Sequence, residues 1–424
     1  MYKDIAVVIL NYIQYVNIVP GINKLIEKGY NVDIYCPFIK TNDGFDIMYN
    51  DNIRNLKEKG YNVYTKVSKK KYKILLEPYP YMNIESKYKI RYRYSNISAK
   101  PNIVYKPENY LRYDGILCSG QYDSNYLNVL TQTYITGNMK FINFKRKKKE
   151  KSKTVLVYLP TYGDESSIDM LKDYFKNLKK YYYIITKIHH GTTFLNSEKD
   201  RIKYLKMYSD EFYDCNKDVD ELLSIADVVL TDNSGSIFEA LYTYVPVAVF
   251  CDDINKNKLM NFDTTQYVLF KEGILPYTNR ISKLKETISK AMSKDVSDKQ
   301  KKWSNNNLYH PVDQTIDFVN TIEKFMNDDV NERYLQMHEI LREKYIYNLN
   351  ETKRIPLLND TIDKLNLELN SVREDNRCIM EKNIYLNDEN LTLKKELKKY
   401  QDGKLYKLSQ KIYKIKGELI WRKK

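Results

Sequence analysis

Apolar positions in the first 144 residues fall into short continuous runs separated by stretches of helical period. Residues 4–10 (DIAVVIL) carry no polar side chain after Asp4, the pattern of a parallel strand covered on both faces. A helical stretch follows and stops at Gly29, and residues 31–37 (NVDIYCP) read as a second strand. A helix over about 46–59, stopped at Gly60, precedes a strand at 61–67, with further strands at 114–119 (DGILCS) and 134–141. After residue 153 the alternation resumes. Strands are expected at 154–160 (TVLVYLP), 182–189, 226–232 (ADVVLTD) and 246–252 (PVAVFCD), with helices at 166–180, 219–225 and 236–244. From about residue 282 the pattern becomes helical. This order predicts an α/β chain of two Rossmann-like, doubly wound domains facing across a cleft.

The predicted organisation is a first domain over 1–144, a linker over 145–153, a second domain over 154–330, a helical or coiled-coil region over 331–402, and a basic helix over 403–424. The linker (KRKKKEKSK) holds seven bases against one acid, the mark of an exposed segment; passage of an anionic substrate along it is the sharper reading. In a heptad register with Ile362 at position a, the d positions are Leu365, Val372, Ile379, Leu386, Leu393 and Tyr400. Asn376, Asn383 and Asn390 occupy successive a positions. Asparagine at a favours a parallel pair of helices at a cost in stability, so residues 357–402 fit a parallel homodimer; a solvated helix on its own protein fits the same pattern. In 403–424, Leu405, Leu408, Ile412, Ile415 and Leu419 line one helical face, with eight bases against one acid and Trp421 near the end. Apolar stripe, basic flank and tryptophan together describe a helix lying on an anionic bilayer, with a solvated basic tail as the plainer reading.

Composition narrows this picture only a little. A chain of 424 residues with 42% hydrophobic content and 41 tyrosines can build large cores, which excludes a disordered protein. The net charge of +15 suits an anionic partner. The bases lie in a linker and a tail, not in a groove interleaved with aromatics, so nucleic acid is not expected. Five cysteines without CxxC pairing argue against zinc or disulfides; Cys36, Cys118 and Cys251 end strand-like runs, as buried small residues do. No leader or apolar run of spanning length is visible. The expected location is cytoplasmic, peripheral on the inner face of the cell membrane.

The residues fit for chemistry sit where strands end. In 226–244 (ADVVLTDNSGSIFEALYTY) a buried strand runs through Asp232 into the turn Asn233-Ser234-Gly235-Ser236 and then a helix. The first amides of that helix form a preformed anion site. Ser234 and Ser236 add hydroxyl donors, and Gly235 lets a phosphate approach the backbone. Glu239 is spaced for a capping box with Ser236; alternatively Glu239 or Asp232 accepts ribose hydroxyls. A second loop, 187–193 (KIHHGTT), offers Lys187, His189 and His190 at a strand's carboxyl end, where α/β sheets bind ligands. Gly191 after His190 suits a tight turn and favours His190 as the residue facing the cleft. The loop 160–164 after the strand 154–160 makes Thr161 the third candidate, with a plain turn as the simpler reading. Asp252-Asp253 reads as a turn, so no metal is expected.

These motifs, a strand ending in PT, a KxH loop and ExLxxADVVLTDxSGxxFEAL, resemble the carboxyl-terminal half of the CDP-glycerol glycerophosphotransferases. The stretch from Lys89-Ile90-Arg91-Tyr92 to 114–120 is similar to that family's acceptor-side half. The resemblance spans about 85–255, with 232–239 its specific block; a similar turn and glutamate occur in the UDP-N-acetylglucosamine 2-epimerases. It implies a GT-B fold, donor phosphates held by His190 or His189, Asp232, Ser234 and Ser236, and no cofactor beyond the nucleotide-activated donor, CDP-glycerol or similar. It also implies an acceptor-side histidine, yet no histidine precedes His189. Glu85, Glu108 and Asp123 are the carboxylates available to replace it.

The resulting expectation is a membrane-associated transferase. It moves a polyol phosphate, such as glycerol phosphate, or a sugar to a lipid-linked or polymeric surface acceptor, as in teichoic acid biosynthesis. The alternatives are a UDP-N-acetylhexosamine 2-epimerase-like enzyme and a catalytically degenerate coiled-coil scaffold at the membrane.

Overall fold

In the computed structural model the first apolar run is strand β1 (Lys3–Val8). The structure describes residues 3–38, 45–93, 108–128, 131–147, 152–163, 166–194, 198–214, 217–251 and 266–351, with 390–396, 398–399, 408 and 411–412. Strands β2 (Val32–Tyr35), β3 (Asn62–Tyr64), β4 (Tyr72–Glu77), β5 (Ser86–Arg91), β6 (Gly115–Cys118) and β7 (Thr133–Ile135) join β1 in a parallel sheet. Its order is β3-β2-β1-β4-β5-β6-β7. The apolar pattern leaves out β4 and β5 because lysines interrupt both. Lys73 and Lys87 reach past the sheet to the carboxylate of Asp328, each at 2.7 Å, so their stems lie along apolar surface while their charges are paired.

The second sheet contains β8 (Thr154–Leu159), β9 (Tyr182–Lys187), β10 (Glu211–Tyr213), β11 (Val228–Thr231), β12 (Val247–Phe250) and β13 (Tyr277–Thr278). Its order is β10-β9-β8-β11-β12-β13, again parallel. Val155, Val157, Val229 and Val247 enter one core, and Leu156, Tyr158, Leu230 and Phe250 enter the other. Two buried faces explain why these strands are apolar without alternation. In each sheet the winding reverses beside the first strand, between β1 and β4 and between β8 and β11. The crevice outside the carboxyl ends at such a point is the ligand position of open α/β sheets.

Both sheets lie in one compact unit, residues 1–331. The core around β8 and β11 continues into the first domain: the Tyr122 ring lies 5.1 Å from Phe238 and 5.3 Å from Trp303, and Phe141 stacks on Tyr242 at 5.4 Å. Residues 308–329, assigned to the second domain by pattern, pack on the first. The Tyr309 amide donates to the Ser119 carbonyl at 3.0 Å. A Cβ on Gly120 would lie 2.5 Å from Leu308 Cα, so only glycine lets that segment pass. Helix Gln314–Met326 lies on helix Tyr12–Glu27, where the Phe318 ring fills the space a Cβ on Gly21 would need.

Some elements depart from the pattern. The helix expected at 166–180 is broken into Ile168–Leu171, a tighter turn at Lys172–Tyr174, and Phe175–Leu178. The start of the basic linker is docked as well as exposed. Arg146 donates to the carbonyls of Leu223 (2.6 Å) and Ala226 (2.5 Å), closing the carboxyl end of helix Val219–Ile225. Cys36, Cys118 and Cys251 are buried free thiols. Residues 332–424 form a second unit, described chiefly as helix Glu332–Glu351. Most of the heptad stretch and the basic tail lie outside the described residues, as do Asp252-Asp253 and the side chains of His190 and Glu108. Among the described residues no helix is long and apolar enough to cross a membrane.

Candidate functional site

At the end of β11, Thr231 donates its hydroxyl to the Leu159 carbonyl at 2.6 Å, binding the ends of β11 and β8 together. Asp232 follows with its carboxylate turned inward, only 1% exposed. One oxygen accepts the Thr161 amide at 2.8 Å; the other accepts the Ser167 amide at 3.0 Å and the Ser167 hydroxyl at 2.9 Å. Burial pushes its pKa up to about 6, against the pull of those bonds. Asp232 was a candidate for direct contact with phosphate or ribose. Both of its oxygens accept hydrogen bonds from the loop after β8, so the carboxylate braces that loop.

Ser234 and Ser236 come together in the turn, their hydroxyls 3.2 Å apart, and Gly235 is the N-cap of helix Ser236–Tyr242. The capping box between Ser236 and Glu239 does not form, since this N-cap has no side-chain hydrogen bond. Glu239 Oε1 instead accepts from Lys140 Nζ at 2.5 Å, with both side chains mostly buried. Lys140 belongs to the turn after β7, so Glu239 joins the two domains. The Asn138 amide also donates to the Tyr242 hydroxyl at 3.3 Å.

The loop after β9 distinguishes the two histidines. His189 stacks on Tyr162 with ring centroids 4.6 Å apart and planes 16° from parallel. Its Nδ1 accepts the Gly191 amide at 3.0 Å, which leaves the proton of the neutral ring on Nε2 as a donor. His190 begins helix His190–Phe194, so Gly191 serves a purpose other than a tight turn. A Cβ there would lie 2.5 Å from Tyr162 Cγ, and glycine lets the ring lie against the backbone. Lys187 is the half-buried last residue of β9.

Thr161, Lys187, His189, Ser234 and Ser236 are thus gathered at the carboxyl ends of β8 and its two neighbours, β9 and β11. Pattern reading gave Tyr162 only as part of a turn and missed Glu198 and Arg201. Glu198 accepts the Gly163 amide at 3.2 Å and pairs with Arg201 at 2.7 Å, while Arg201 donates to the Gly163 carbonyl at 2.9 Å. The only local signal for this brace was the Tyr162-Gly163 pair after a strand.

No family model matches the chain, and no curated protein matches its sequence. Solved structures do match. The wall teichoic acid polymerase TagF aligns with a TM-score of 0.50 at 16% identity, over 77% of this chain and 88% of that one. A TagF variant soaked with CDPG gives the same values. MnaA of S. aureus, in its structure with UDP, aligns with a TM-score of 0.50 at 10% identity, over 77% of this chain and 97% of that one. The fold is GT-B.

The structure places two of the carboxylates expected to replace an acceptor-side histidine. Glu85 is exposed and paired with Lys71 at 2.5 Å. Asp123 is fully buried and accepts the Ser119 hydroxyl at 2.7 Å. Glu77, absent from the expected set because β4 was not foreseen, ends that strand beside the switch point and is fully buried. A further bond joins the domains: the Tyr12 hydroxyl donates to Asp218 at 3.1 Å.

Proposed function

We propose that this GT-B chain is a transferase carrying a polyol phosphate or a sugar from a nucleoside diphosphate donor to a cell-surface polymer. One observation carries the reading. The paired hydroxyls of Ser234 and Ser236 lie at the β8–β11 switch point, His189 follows the end of the neighbouring strand β9 with its Nδ1 accepting the Gly191 amide, and Asp232 holds the loop after β8 between them. Such donors, set before the reaction, stabilise negative charge developing on the leaving nucleotide. The helix beginning at Ser236 adds its amides and dipole. TagF with CDPG and MnaA with UDP are both GT-B proteins taking nucleotides, which supports a nucleotide donor here. The transferred unit we favour is glycerol phosphate, and the basic helix over 403–424 would hold the enzyme against an anionic membrane where a lipid-linked acceptor grows.

Purified protein incubated with CDPG, CDP-ribitol or UDP-sugars, with and without membranes, separates the readings. Release of CMP that requires membranes is the expected result. Release of UDP with a free sugar product replaces the transferase with an epimerase. No release from any donor, together with no donor binding by calorimetry, leaves the scaffold.

A further inference from the structure

Side chains of the first sheet alternate between its two faces. Tyr88 packs its ring 5.3 Å from Phe325 of helix Gln314–Met326, so its neighbour Lys89 points to the opposite face. There Lys89 stands in register with Leu75 of β4, which stands in register with Ala6 of β1. That face is covered by Ile84, Tyr81 and Met82 of the loop between β4 and β5, and by Tyr64 of β3. At the amino ends of β4 and β5 the cover leaves an open polar groove of about 410 Å³, lined by Ser68, Lys69, Asn83, Ile84 and Lys89 among others. Its volume is that of a small-molecule site. The Ser68 hydroxyl lies 2.6 Å from the Tyr35 hydroxyl and accepts the Lys70 amide at 3.3 Å, which anchors the loop bearing Lys69 on β2. Lys69 and Asn83 are exposed.

The groove lies on a basic edge. Residues 66–73 (KVSKKKYK) hold five lysines and no acid, and β5 adds Lys87 and Lys89. Three carboxylates answer them. Asp33 pairs with Lys70 at 2.8 Å, Glu85 with Lys71 at 2.5 Å, and Asp328 with Lys73 and Lys87 at 2.7 Å each. Lys66 and Lys69 make no ion pair or hydrogen bond among the described residues, and such uncompensated charge favours an anion. Pattern reading placed the bases in the linker and the tail; folding gathers a further group here. Strand β5 is six residues long, so the groove and the crevice at the carboxyl ends lie roughly 20 Å apart along the sheet.

We propose that this groove holds a phosphodiester of the acceptor polymer, upstream of the end that reacts, with Lys69 pairing with the phosphate and Asn83 donating to a polyol oxygen. This rests on the transferase reading above. A phosphodiester is shared by such a polymer and by a lipid headgroup. The polymer is favoured because its charges repeat along a chain, so one unit can lie in the groove while the end lies in the crevice. Holding the chain at a second point raises the concentration of its end at the crevice. The groove then distinguishes long acceptors from short ones, without touching the reacting atoms.

Two measurements test this, using the double variant Lys66→Glu, Lys69→Glu, whose exposed and unpaired positions leave the fold intact. First, a glycerol phosphate oligomer of about a dozen units, made to span both points, is titrated calorimetrically into the full chain without donor. The double variant should bind at least about tenfold more weakly, and Lys294→Glu, the same charge change elsewhere, should stay within about threefold. No binding by the wild type, or equal binding by the double variant, overturns the proposal. Sedimentation with phosphatidylglycerol vesicles separates the two sources of phosphodiester. Equal vesicle binding by wild type and double variant supports the polymer; a loss on vesicles with oligomer binding kept overturns it in favour of lipid. Second, transfer from CDPG is measured to the long oligomer and to a dimer. The double variant should raise KM about tenfold for the long acceptor, with its kcat and the dimer's KM within about twofold of wild type. An equal change for both acceptors, or none for either, overturns the proposal. A wild type that binds the oligomer but transfers from no donor defeats the transferase reading alone. One that transfers to the long oligomer as well as the double variant does defeats this proposal alone.

Discussion

Glu77 is a buried acid without adequate partners, and its replacement has a predictable pH signature. Both carboxylate oxygens lack hydrogen-bond partners among the described residues, and Arg112 Nε stands 3.8 Å from Oε1, beyond hydrogen-bond reach. Burial raises its pKa from 4.5 to about 7, against the pull of Arg112 and Lys89. Between those two values the folded chain keeps a proton that the unfolded chain releases. The destabilisation from ionising Glu77 is therefore fully present above about pH 7, shrinks as pH falls, and is absent below 4.5. At about 1.4 kcal/mol per tenfold change in acidity, the full effect is about 3 kcal/mol. Glu77→Gln keeps the shape and cannot ionise. It should gain about 3 kcal/mol over the wild type at pH 8 and only about 1 kcal/mol at pH 5, less whatever constant cost the buried amide carries. Unfolding of both proteins in guanidinium between pH 5 and 8 measures the difference. Asp232, raised to about 6, titrates in both proteins and cancels. A difference that stays constant across the range would refute the assignment.

Two further outcomes bear on the site and the tail. Asp232→Asn keeps one acceptor oxygen and puts an NH2 donor against either the Thr161 amide or the Ser167 amide and hydroxyl, and each unsatisfied buried donor costs about 1–3 kcal/mol. The variant should melt lower and bind donor nucleotide at least about tenfold more weakly by calorimetry, since the loop after β8 loosens; wild-type melting and affinity would contradict the clamp. Deleting residues 403–424, with their eight bases and one acid, should move the protein from the membrane pellet to the soluble fraction. An unchanged distribution shows that the tail is not the anchor.

The two sheets were unequally legible. Every strand of the second sheet from β8 to β12, apart from short β10, is a run whose side chains are buried on both faces, so composition alone marks it. In the first sheet, β4 and β5 escape because Lys73 and Lys87 look like surface residues. Their partner Asp328 lies 255 and 241 residues away in sequence, and no window of local pattern contains it. The strand-to-helix junction at Ser234 and Ser236 was legible for a related reason: a buried strand followed by small residues is a local event.

Roles within the site were harder to read than its location, because each was settled by a distant partner. Asp232 was an apparent ligand until Thr161 and Ser167, 71 and 65 residues earlier, took its oxygens. Glu239 was an apparent cap until Lys140, 99 residues earlier, claimed it. His189 and His190 are equivalent by spacing, and the Tyr162 ring and the Gly191 amide settle how His189 is held. A carboxylate or imidazole at a strand end is a chemical capacity only. Whether it meets the ligand, braces a loop or locks two domains depends on which donor reaches it first in the folded chain. The Lys140–Glu239 pair carries the largest consequence. It joins the turn Met139–Phe141, which follows β7, to the helix that begins at Ser236, so a single buried pair links the two sheets' domains.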